Sequence, residues 1–108
     1  MARVVTVHRK EGGGITVRCG NEVVGFVTRL DGGDERMSGQ FAPGPAHKPY
    51  AQLLADGDKA EIERSGLHVY SSIHDMRIDG EASLVVEADK VHFRPAAAFI
   101  VLRSGGLG

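Results

Sequence analysis

The 108-residue chain has no tryptophan, one cysteine, and phenylalanine and tyrosine at only 6 % of positions. With Cys19 alone, neither an internal disulfide nor a thiolate metal cluster can form within the chain. That suits a reducing compartment, and the expected location is cytoplasmic. There is also no basic excess. Thirteen Lys and Arg stand against 14 Asp and Glu, for a net charge of -1. A nucleic-acid-binding domain usually carries a basic face or stripe, so the charge balance argues against an oligonucleotide-binding barrel. No apolar run approaches the ~20 residues of a membrane span. The opening Met-Ala-Arg-Val-Val-Thr-Val-His lacks the roughly 7–15-residue apolar segment of a secretion signal. No membrane association is expected.

Proline is scarce too, but it is concentrated. Three of the four prolines fall within Phe41-Ala-Pro-Gly-Pro-Ala-His-Lys-Pro-Tyr50. A proline cannot donate to a strand ladder, so this knot ends whatever sheet precedes it. Pro49 has the φ that a first helical turn needs. Tyr50, Leu53 and Leu54 then follow at i, i+3 and i+4, which is one helix face. The helix should break at Asp56-Gly57. Asp58-Lys-Ala-Glu61 resembles a capping box for a second short helix, which Gly66 should stop. A Schellman ending there requires positive φ at Gly66 and contact between Ile62 and Leu67.

Glycine is abundant, at 15 residues. Gly12-Gly13-Gly14, Gly20, Gly32-Gly33, Gly57, Gly66, Gly80 and Gly105-Gly106 each sit where an apolar run stops. They read as turn punctuation, since glycine enters positive φ freely. Between them, residues 4–9, 15–18, 23–30 and 36–41 alternate as strands. In the third of these, Val24, Phe26 and Leu30 share one expected face and Val23 and Val27 the other. In the second half, residues 67–72, 76–78, 81–87, 91–93 and 99–102 read as strands. Asp79-Gly80 carries the strongest hairpin signal, and Asp89-Lys90 is a second turn.

The fold class expected is α+β: one antiparallel β-rich domain of about eight short strands in β4–α–β4 order, with a helical insert near residues 48–65. The alternative is a small all-β barrel with one plugging helix. The single domain divides into a meander over 1–41, a proline-rich turn and insert over 42–66, a second strand-rich half over 67–103, and a flexible tail over 104–108.

Chemistry is harder to find. The five histidines include no HxH or HxxxH pair of the kind zinc sites use, so no metal is expected. Cys19 continues the face of Ile15 and Val17, which makes it a buried thiol rather than a nucleophile. Ser71 and Ser72 beside His74 and Asp75 bring triad residue types together in sequence, but triads assemble in space. The glycine clusters join strand to strand, whereas a phosphate loop joins strand to helix. No catalytic residue and no cofactor are expected. Apolar residues on both faces of some strands, such as Val23, Val27, Val85, Ile100 and Leu102, imply either that the sheet curls into a barrel or sandwich or that a second subunit covers it. The function expected is therefore a non-catalytic binding or accessory module that self-associates as a homodimer or docks on another protein. The competing class is a small-molecule-binding protein or small enzyme, with a ligand pocket lined by Phe41, Lys48, Tyr50, His68 and Tyr70.

Overall fold

The computed structural model describes residues 14–103. The strand expected over residues 4–9 and the tail after 103 lie outside the described residues. The described residues form seven strands: β1 (Ile15–Cys19), β2 (Glu22–Gly32), β3 (Met37–Pro43), β4 (Leu67–Ser71), β5 (Met76–Arg77), β6 (Asp79–Glu87) and β7 (Lys90–Pro95). A single 3-10 turn at Lys48–Tyr50 leads into helix α1 (Ala51–Asp56), followed by α2 (Lys59–Ser65), and α3 (Ala97–Arg103) follows β7. All strands form one antiparallel sheet in the order β5-β4-β1-β2-β3-β7-β6.

The two ends of that order meet in the chain itself. β5 pairs with β4, and β6 pairs with β7. Between them, the Ile78 N–H donates to the Val69 carbonyl at 2.9 Å, and the Ile78 carbonyl accepts the Ala96 N–H at 2.7 Å. Residues 76–87 thus form one bent segment, its start bonded to β4 and its remainder to β7. The sheet is nearly closed by this corner. Asp79 completes it: its carboxylate accepts the Val69 N–H at 2.9 Å and has a fully buried side chain.

This corrects the reading of Asp79-Gly80 as a hairpin turn. Asp79 pairs with Pro95 and Gly80 with Arg94 inside the ladder. The dipeptide bends a strand instead of reversing it, because a closing sheet needs a corner there. The reversal falls eight residues later at Ala88-Asp89, where Ala88 has φ 55° and Glu87 pairs with Lys90.

Two further differences have local causes. Residues 99–102 are not a strand but part of α3. The alanines at 96–98 favour helix, and Phe99 is buried in the core at 6 % exposure. In β2, Val24 is fully buried while Phe26 is 44 % exposed, so they do not share a face. A register shift opposite Val17/Arg18 makes Gly25 face Val17 and Val23 face Arg18. The extra residue is a bulge, which turns both Val24 and Val27 inward.

Other elements follow their local chemistry. Gly20-Asn21 is the two-residue turn between Cys19 and Glu22. Met37 and Phe41 point inward. Asp58 caps α2 by accepting the Glu61 N–H, although the Glu61 side chain turns to Arg64 rather than back to the cap. Leu54 of α1 and Ile62 of α2 are fully buried in the same core as Val17, Val69, Leu84 and Phe93, so the insert seals against the strands with one fully buried residue per helix. Gly66 ends α2 with φ 86°. Its N–H donates to the Ile62 carbonyl at 3.3 Å, while the Ser65 hydroxyl donates to that same carbonyl at 2.7 Å and accepts the Leu67 N–H at 3.1 Å. A serine hydroxyl therefore relays the bond that a Schellman ending makes directly.

Candidate functional site

The residues expected to line a pocket are divided between the two faces of the sheet. Phe41 stands on the inner face. Gly25 makes room for it, since a Cβ at that position would overlap the Phe41 ring. On its other side the His47 ring lies 5.6 Å away, tilted. Lys48 is exposed on the 3-10 turn. Tyr50 is half-buried and packs against the core. A hydrogen bond with the Cys19 side chain, reinforced by charge repulsion from the same group, raises the Tyr50 phenol above its ordinary value. Cys19 itself donates to the Ser65 carbonyl at 3.2 Å. Cys19, Tyr50 and Ser65 thus tie the start of the insert to its end.

His68 and Tyr70 stand on the outer face of β4, flanking inward Val69. His68 Nδ1 bonds the Gly66 carbonyl at 2.9 Å. The Tyr70 hydroxyl donates to the Asp75 carboxylate, which raises its phenol above the ordinary value. The Arg18 guanidinium lies 4.5 Å over the Tyr70 ring. Cross-strand pairing continues this outer row from Arg77 through Tyr70, Thr16 and Phe26 to Ala42.

The described structure gathers one constellation that sequence reading missed. Ser38 Oγ lies 2.7 Å from His92 Nδ1, and His92 Nε2 lies 3.4 Å from the Glu87 carboxylate. Ser38 and His92 are directly opposed across β3 and β7, 54 positions apart. No sequence spacing announces such a pair, because sheet register creates it. The line has the residue types of a hydrolytic triad, but it lies on paired strands rather than on a turn. Acyl transfer also needs free donors aimed at the developing oxyanion. The observed bonds support a cross-strand polar clasp. Among the described residues, no three His, Cys, Asp or Glu side chains converge as a metal ion requires.

The remaining outlier is apolar. Ile73 is 69 %, Val101 66 % and Leu102 48 % exposed. Ile73 adjoins His74, whose ring lies 5.9 Å from that of Phe99, so the turn after β4 and α3 are neighbouring elements. Phe99 anchors α3 inward, Val101 lies about 200° round the helix from it, and Leu102, at i+3 on the side nearer Phe99, is still 48 % exposed. Among the described helices, none is long and apolar enough to cross a membrane.

Comparison of the chain with protein-family models, with curated proteins and with solved structures returns no match.

Proposed function

We propose that this domain is a non-catalytic interaction module that associates with a second copy of itself through the corner formed by Ile73 and α3. The observation that carries this reading is the exposure of Ile73, Val101 and Leu102 on two adjacent elements. Single exposed apolar residues are ordinary, whereas a grouped set marks a contact surface. Of the other two-sided apolar positions, Val27 turns inward, Val23 is half-buried, and Val85 sits against Gly57, where an added Cβ would come within 2.9 Å of its side chain. Among the described residues the large apolar side chains left exposed are Phe26, alone on the outer face of β2, and Ile73, Val101 and Leu102 beside α3.

A homodimer built on this corner is isologous, with α3 near a two-fold axis so that each copy covers the other's Val101 and Leu102. The test is sedimentation equilibrium at micromolar concentration. The wild type should exceed the 11.5 kDa of one chain, and Val101→Asp should return it to monomer without changing the circular dichroism spectrum. A wild-type monomer at high concentration refutes the reading. So does a dimer that Val101→Asp and Ile73→Asp leave intact.

A further inference from the structure

The corner that closes the sheet is built with more than closure requires. Glu81 and Ala82 are consecutive residues with φ 56° and 48°. Left-handed backbone is costly for residues that carry a Cβ, and it persists where the surroundings impose it. Here the surroundings are specific. The Ser83 hydroxyl donates to the Gly80 carbonyl at 2.8 Å and accepts the Arg94 N–H at 2.7 Å. These bonds hold open a bulge across which the β6–β7 register shifts between Gly80 and Val85.

The bulge faces α2 across an open cleft of about 550 Å³. Lys59 and Glu63 of α2 form one wall, and Arg77 with residues 79–82 forms the other. The Arg77 guanidinium is held in place from behind. Its Nε donates to Asp79 Oδ1 at 2.9 Å and its Nη2 to Oδ2 at 3.3 Å. Asp79 is itself immobilised, being fully buried and bonded to the Val69 N–H. One edge of the guanidinium is thereby occupied, while the side chain as a whole is 51 % exposed. A fork fixed by a buried carboxylate is pre-organised to receive a second carboxylate on its free edge. Lys59 adds a second positive charge on the facing wall.

The cleft is not simply cationic. Glu63 lines it beside Lys59, and Glu81 lines it too, 3.7 Å from Arg94. A dianion would meet Glu63 and a dication would meet Arg77. A ligand carrying both signs satisfies each wall. We propose that this cleft binds a small amino-acid-like zwitterion, its carboxylate on Arg77 and Lys59 and its ammonium on Glu63. The volume lies within the usual range for small-ligand sites, and the openness of the cleft suits a compact, polar occupant. None of the residues that line this cleft belongs to α3 or to the turn that holds Ile73.

The experiment is an NMR titration of the full chain with three probes of equal chain length: γ-aminobutyrate, succinate and putrescine. γ-Aminobutyrate should give saturable shifts at residues 59–63 and 77–82, with affinity at least about tenfold above that of the other two. Lys59→Ala should weaken it, and Glu63→Gln should remove the preference for γ-aminobutyrate over succinate. Both residues are exposed on α2, so these variants keep the fold. Arg77→Lys should also weaken binding, because a lysine cannot present the same planar fork. Succinate binding as tightly as γ-aminobutyrate overturns the proposal in favour of an anion site. Putrescine binding best overturns it in favour of a cation site. No saturable shift at these residues by roughly 10 mM of any probe overturns it altogether.

Discussion

Replacing Gly66 by alanine isolates a single backbone term. Gly66 has φ 86° and ψ 9° at the end of α2, and beyond its own chain neighbours no heavy atom lies within 4 Å of where its Cβ would stand. The substitution therefore adds no clash and removes no hydrogen bond. What it adds is left-handed strain, about 1–2 kcal/mol for an L-residue. Against this, alanine has fewer unfolded conformations than glycine, which offsets roughly 0.4–1 kcal/mol. The net expected loss is about 1 kcal/mol. Two companions calibrate it. Gly20 has φ 64° and equally open surroundings, so Gly20→Ala should cost the same. Gly57 has φ 62°, but its Cβ would lie 2.8 Å from Val85 Cγ2 and 2.9 Å from Val85 Cβ. Overpacking of that kind adds roughly 1–3 kcal/mol, so Gly57→Ala should be the most damaging of the three. Urea denaturation with a shared m-value reads all three. A neutral or stabilising Gly66→Ala would refute the backbone account of this helix stop. Equal losses at Gly57 and Gly66 would refute the contact with Val85.

The corner at Asp79 should be similarly sensitive. Asp79→Ala leaves the buried Val69 N–H unpaired and frees Arg77, for an expected loss of about 2–3 kcal/mol. Asp79→Asn keeps an acceptor for Val69 and should cost about half of that. Equal, small effects would show that the carboxylate does not hold the seam. A third expectation concerns pH. The hydrogen bond to Asp75 raises the Tyr70 phenol, so the folded state holds this proton more tightly than the unfolded one. The resulting stabilisation is present below the ordinary tyrosine value of about 10 and is lost as pH rises past the raised folded value. In a Tyr50→Phe background, phenolate absorbance should appear at higher pH than in free tyrosine, and Asp75→Ala should move it back down. An unmoved titration on removing Asp75 would contradict the bond.

Local signals were legible wherever their cause was local. Gly20-Asn21, the break at Gly57, the Asp58 cap and the stop at Gly66 each depend on a few consecutive residues, and each forms as their chemistry dictates. The faces of β1 and β3 follow alternation for the same reason: Val17, Met37 and Phe41 point inward. Tertiary structure decided what depends on partners far along the chain. Asp79-Gly80 carries the strongest turn signal, yet closure of the sheet makes it a corner, because the Asp79 carboxylate finds the Val69 N–H ten positions away. The segment 97–103 holds β-branched residues that favour strands, yet it is helical and anchored by Phe99 against His74. A bulge in β2 separates Val24 from Phe26, and bulges leave little trace in alternation. The candidate sites belong to the same category. Ser38 meets His92 through sheet register, and Lys59 and Glu63 meet Arg77 because α2 packs beside a strand that bends. Residue type is written in the chain, but convergence is set by which elements close on one another, and only the packed core determines that.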